Sequence, residues 1–216
     1  KTEVTGKKVS FGDSLTFSGS GETDEGWTVT SSIEIDAGTY DDRSVVVNMG
    51  DSGTVHVQSS GAQGTPADLV PNAYGTAAYS MAGSSVTGKH VADGLSSGAG
   101  SDTNLGYTNT IAGFDVAFGY TPGATGGSDM AVNVKYSDLM DGLTLSYGMS
   151  DLNPAQANGT EETSISAKYV IGGITLGYTD FSADDDAASG TDYDGTHYGV
   201  SFAVNDDMTV SYGKST

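Results

Sequence analysis

From Phe114 to Ser150 large apolar residues fall on every second position: Phe114, Val116, Phe118, Tyr120, then Met130, Val132, Val134, Tyr136, then Leu143, Leu145, Tyr147, Met149. Between them stand Asp115, Ala117, Gly119, Asn133, Lys135, Thr144, Ser146 and Gly148. A period of two is the signature of a β-strand with one apolar and one polar face. The alternation recurs at Trp27, Val29, Ile33 and Ile35, at Val55 and Val57, and at Ile174, Leu176 and Tyr178. It returns at Tyr198, Val200, Phe202 and Val204, and at Met208, Val210 and Tyr212. No segment shows a convincing helical period. Strands are predicted over 13–20, 26–36, 43–50, 53–60, 102–110, 112–120, 129–137, 142–150, 161–170, 173–181, 195–204 and 207–214. Clusters of Gly, Asp, Asn and Ser bound them.

Such strands can pack their apolar faces on a soluble core, as in a sandwich, or turn them outward into lipid, as in a barrel. Connection lengths separate the two readings. Gly21–Glu25, Asp51-Ser52, Ile111, Asp138–Asp141, Ile171-Gly172 and Asn205-Asp206 read as short. Ala37–Asp42, Gly61–Ser101, Thr121–Ser128, Asp151–Thr160 and Ser182–Asp194 read as longer and alternate with them. In a meander, alternate turns lie at opposite ends of the sheet. Short turns at one end and long loops at the other are expected of an antiparallel transmembrane β-barrel. Tyr120, Tyr136, Tyr147, Tyr169, Tyr178, Tyr198 and Tyr212 stand near strand ends, where rings suit the lipid–water interface as an aromatic girdle. A secreted or surface-layer β-sandwich with a binding or structural role is the alternative.

Composition narrows the picture. With 216 residues, 36% of them hydrophobic, the chain is one domain of ordinary size. No apolar run is long enough for a membrane-spanning helix. Zero cysteines exclude disulfides and thiolate metal sites. A formal net charge of −20 repels phosphate backbones, so no nucleic acid is expected as a partner.

The stretch FGDSLTFSGSGETDEGWTVTSSIEID (Phe11–Asp36) resembles the first hairpin of alphaproteobacterial outer-membrane porins, the marine ones especially. DSGTVHVQSSGAQG (Asp51–Gly64) resembles that family's strand running into its third, inward-folded loop. NDDMTVSYGKST resembles a late periplasmic turn and the strand after it. The resemblance implies a sixteen-stranded general diffusion porin of the Gram-negative outer membrane, a homotrimer seated in lipid, passing small hydrophilic solutes and ions. The twelve strands seen here fall short of sixteen, and the loop order calls for one more strand before them. These residues are therefore expected to be the middle of a longer chain, with a complete twelve-stranded barrel as the other possibility. The whole of 1–216 is taken as one barrel domain, with 61–101 as the long loop folded into the pore.

Candidate chemistry follows from that frame. Acids on the long connection or lumen wall facing bases across the lumen set a transverse field and a charge filter. The acid candidates are Asp68, Asp93, Asp102, Glu34 and Asp115. The basic ones are His56, Lys135, Lys168 and His197, with Arg43 at a strand edge. Each is also read as an ordinary solvated lumen side chain. The acidic balance predicts a preference for cations. No cofactor is expected, apart from weak Ca²⁺ binding at Asp184, Asp185, Asp186, Asp192 and Asp194, which are equally read as solvated charge. The three histidines are far apart, and no Gly-x-Ser-x-Gly elbow, H-E-x-x-H or phosphate loop is present, so no enzyme is expected.

Overall fold

A computed structural model describes residues 14–36, 38–59, 104–122, 128–152, 160–185 and 192–216. They form twelve strands: β1 (Leu15–Glu22), β2 (Thr28–Asp36), β3 (Thr39–Asn48), β4 (Thr54–Gln58), β5 (Asn104–Ile111), β6 (Phe114–Thr121), β7 (Asp129–Tyr136), β8 (Leu143–Leu152), β9 (Thr160–Ile171), β10 (Ile174–Asp185), β11 (Tyr193–Asn205) and β12 (Met208–Ser215). All twelve join one sheet in sequence order, each antiparallel to the next. Among the described residues no helix is long and apolar enough to cross a membrane.

From β5 to β8 the ladder carries the alternation from strand to strand without a slip of face. Phe118 pairs with Tyr107 on one side and Val132 on the other; Val132 pairs with Met149. The intervening positions do the same: Ala117 pairs with Thr108 and Asn133, and Asn133 with Gly148. A one-residue slip anywhere would exchange the faces, so the pattern itself holds the register. Across β6 and β7 the Phe114 and Tyr136 rings stack with centroids 4.5 Å apart.

Burial then answers which way the faces turn. Ala131 is the only buried apolar residue among those described. The buried polar residues include Asn104, Ser150, Glu162, Ser164, Ser166 and Thr179. Phe17, Leu105, Phe118, Met149, Ile165, Leu176, Phe202 and Tyr212 are all exposed, on one continuous face. A protein in water buries such side chains, and an exposed apolar patch of this extent marks a lipid or protein contact. The inside-out arrangement suits a sheet with hydrocarbon on one side and polar space on the other.

One expected connection is corrected. The residues 37–42 were expected as a longer loop, but β3 begins at Thr39 and the β2–β3 connection is only 37–38. The ladder runs on through Tyr40, opposite Ile35, with a bulge between Ile33 and Ile35 that accommodates Asp41 and Asp42. β10 and β11 likewise run on into acidic residues, to Asp185 and from Tyr193. Backbone pairing persists where apolar alternation stops, because it needs no particular side chain. From β3 onward the lengths alternate as expected: 49–53, 112–113, 137–142, 172–173 and 206–207 at one end, against 59–103, 122–128, 153–159 and 186–192 at the other.

The short end is held by backbone contacts. At the β7–β8 turn Gly142 has φ of +77°, and a Cβ added there would collide with the Val170 carbonyl oxygen. Val170 N–H donates to the Gly142 carbonyl at 2.8 Å. Gly142→Ala therefore combines left-handed strain of about 1–2 kcal/mol with a backbone clash. It is expected to lower the urea midpoint of the folded protein in detergent, whereas Gly38→Ala, with open space around it, carries the strain alone.

Candidate pore lining

The polar face is organised in rows that follow the hydrogen-bonding direction. One row links Thr110, Asp115, Lys135, Ser146, Ser166, Thr179 and His197 as successive ladder partners. Three of the charged candidates thus share one line. Thr110 Oγ1 donates to Asp115 Oδ1 at 2.7 Å, and Lys135 Nζ lies 3.2 Å from Asp115 Oδ2. Asn133 Nδ2 donates to Ser146 Oγ at 2.9 Å, and Ser166 Oγ and Thr179 Oγ1 lie 2.7 Å apart. A polar recess of about 460 Å³ opens beside the ion pair, lined in part by Asn48, Thr54, Thr108, Asp115 and Lys135. Both charged groups stay partly exposed there, so the pair presents charge to the space while adding little stability.

His56 heads a second row, followed by Gly106, Gly119, Ala131, Ser150 and Glu162. Its Nε2 lies 3.3 Å from Thr108 Oγ1. Ser150 Oγ donates to Glu162 Oε2 at 3.0 Å. Lys168 stands in a third row with Thr144 on one side and Gly177, Gly199 and Gly213 on the other. Glycines give that lane no side chains, so Lys168 borders a smooth strip of wall.

The remaining candidates are placed as follows. Glu34 pairs with Thr16 on the polar face, and its carboxylate groups with those of Asp41 and Asp42 at the bulge, with ligand-type oxygens all within 4.8 Å. Arg43 pairs with Ile33, the parity of the apolar face, and at the edge of the bulge it also lines a polar recess with Thr16, Ser32, Glu34, Ser44 and Gln58. Asp68, Asp93 and Asp102 lie outside the described residues, as does the rest of 61–101. The seven tyrosines all take the apolar parity. Tyr136 ends β7, Tyr120 sits next to the end of β6 and Tyr169 two residues before the end of β9, but Tyr147, Tyr178, Tyr198 and Tyr212 lie within their strands. Asp184 pairs with Glu161 and Asp194 with Ser182, both exposed, while Asp192 is exposed just before β11. Asp186 is outside the described residues. Among the described residues the carboxylates that come within ligand spacing are Glu34, Asp41 and Asp42, not those of the Asp184–Asp194 group.

Sequence reasoning did not single out Glu162, whose carboxylate is 2% exposed on the polar face. Its signal was its parity with Ser164 and Ser166, masked by the adjacent Glu161. Nor did it mark the exchange of Asp180 and Phe181, which reverses the expected faces near the end of β10: Asp180 pairs with Ile165 and Phe181 with Ser164.

A family profile described as Gram-negative porin matches residues 1–216. No curated protein sequence matches the chain. Among the solved structures similar to it are two porins. An anion-selective porin from Comamonas acidovorans superposes with a TM-score of 0.58 at 18% identity, over 94% of this chain and 67% of that one. A porin refined at 1.8 Å superposes with a TM-score of 0.63 at 19% identity, over 94% of this chain and 75% of that one. At such identity the likeness speaks for the fold: the sheet is the wall of a transmembrane β-barrel, apolar face to lipid and polar face to the lumen.

Proposed function

The chain belongs to the Gram-negative porin family, an outer-membrane channel and not an enzyme, and we propose that it forms a water-filled pore for passive diffusion of small hydrophilic solutes with a preference for cations. The observation that carries the pore is the inside-out burial: polar and glycine rows on one face, exposed large apolar residues on the other. The cation preference is supported by the net charge of −20 and by acids at both ends of the strands. Asp24, Asp51, Asp138, Asp141, Asp206 and Asp207 occupy the short turns; Asp184, Asp192 and Asp194 stand at the long-loop end. On the polar face Glu22, Glu34 and Glu162 face only Lys135 and Lys168 among the described lysines, and Asp115 neutralises the first. Fixed negative potential raises cation concentration in the lumen and lowers that of anions.

Segment 61–101 is proposed as a loop folded into the pore. β4 and β5 are ladder neighbours, so this connection leaves and re-enters the sheet at one end. Deleting it is expected to raise single-channel conductance. The proposal extends to a trimeric, alphaproteobacterial-type porin. Its test is the cross-linked size of the protein purified from its host. Calcium at the acidic external residues predicts a fall in melting temperature with a chelator; an unchanged melting temperature would leave those carboxylates as solvated charge.

The deciding measurement is current through a planar bilayer across a KCl gradient. Stepwise conductance with a cation-selective reversal potential is the expected result. Anion selectivity would keep the pore and discard the charge argument. No steps from inserted protein would discard the pore.

A further inference from the structure

Among the strand aromatic residues whose side chains are described, Phe181 stands apart by facing the lumen. It pairs with Ser164 on β9 and with Gly195 on β11, two residues along from lumen-facing Thr179. Its strand neighbour Asp180 takes the lipid-side parity, opposite Ile165 and Thr196. Exchanging the two residues would restore the alternation of Ile174, Leu176 and Tyr178 along β10. A local reversal of this kind, kept against the pattern, is where function is to be sought.

The geometry around the ring is specific. A Cβ added to Gly195 would lie 2.6 Å from Phe181 Cζ, so the ring rests on the bare backbone of that glycine. The His197 ring is 4.7 Å away, tilted by 48°. Directly across the ladder, Ser164 is 2% exposed, and its Oγ has no hydrogen-bond partner. A buried hydroxyl left unpaired carries a desolvation cost that a donor or acceptor supplied from outside would relieve. The wall here therefore offers an apolar aromatic surface, only partly covered, beside an unsatisfied polar atom. That combination is how pockets hold ligands with one apolar and one polar side.

We propose that Phe181, with Ser164 and His197 beside it, forms a stacking subsite in the lumen for neutral cyclic polyols of pyranose size. This rests on the porin reading. The C–H face of such a ring carries positive partial charge and meets the negative face of the phenyl quadrupole. For a hydroxyl at the rim of the same solute, Ser164 Oγ is the proposed partner. The Glu162 carboxylate, at the adjacent lumen position on β9, disfavours anionic sugars at the same place.

The test uses the purified protein in planar bilayers, with potassium chloride current as carrier and methyl α-glucoside or sorbitol added on one side. Methyl α-glucoside is expected to produce saturating current noise; the open-chain sorbitol is not. Phe181→Ala should raise the half-saturating concentration roughly three- to tenfold, and Phe181→Tyr should preserve it. Stepwise potassium chloride conductance in the variants shows that the barrel is intact. No current from the unaltered protein would overturn the pore itself. Current with equal responses to the two solutes would overturn the subsite alone. Loss of heat stability in Phe181→Ala with an unchanged methyl α-glucoside response would also overturn it, leaving the ring as a cover for Gly195.

Discussion

Val132→Arg is expected to destabilise folding into lipid vesicles by about 2–4 kcal/mol, the cost of a cation on the lipid face near mid-membrane. Asn133→Lys, one residue along, is expected to cost no more than about 0.5–1.5 kcal/mol, the loss of a hydrogen bond. Val132 sits in the ladder between Phe118 and Met149, in the middle of the apolar stretch. Asn133 sits between Ala117 and Gly148 and donates to Ser146 Oγ. Only the parity of the two positions produces this contrast. A urea titration in vesicles measures it, and the single tryptophan, Trp27, 39% exposed beside the start of β2, is a convenient reporter of insertion. Comparable losses from both substitutions would mean that the two faces meet similar surroundings. A larger loss from Asn133→Lys would mean that the apolar face is a solvent-side surface and the fold reading is reversed.

The same parity explains what was legible in the sequence. Strands such as β6, β7 and β8 were readable because lipid on one side and polar space on the other leave opposite demands on neighbouring residues. Where those demands end, so does the signal. Thr39–Asp42 and Ser182–Asp185 remain in the ladder beyond the apolar zone, and nothing in their chemistry distinguishes a paired strand from a loop. The bulge on β3 adds a second difficulty: it shifts the count, so Tyr40 falls opposite Ile35, while Arg43 keeps the parity of Val45 and Val47 although its neighbours read as polar loop. Site residues are harder still. Periodicity placed Glu34, Asp115, Lys135 and Lys168 on the polar face, but rows run across strands, and a row joining Asp115, Lys135 and His197 needs the register of five strand pairs. Charge balance alone could not have shown that Asp115 and Lys135 are neighbours at 3.2 Å while Lys168 stands beside glycines.

That neighbour relation yields opposite expected results from two single substitutions. In Lys135→Gln the Asp115 carboxylate loses its partner and faces the 460 Å³ recess as a bare negative charge. In Asp115→Asn the ammonium group of Lys135 is the bare charge. A unit charge acts on an ion about 5 Å away in water with about 0.8 kcal/mol, a factor of roughly four in the permeability of that ion. Lys135→Gln should therefore move the reversal potential in a potassium chloride gradient further towards cations, and Asp115→Asn towards anions. High salt should shrink both shifts, since the Debye length falls from about 10 Å at 0.1 M to about 3 Å at 1 M. Folding stability should change by less than about 1 kcal/mol in either variant, because both groups are partly exposed. Shifts of the same sign would mean that the pair acts on structure rather than on passing ions. No shift in either would place the recess away from the path that ions follow, and the charge filter would then have to reside elsewhere on the wall, at Glu34 on β2 or at Glu162 and Lys168 on β9.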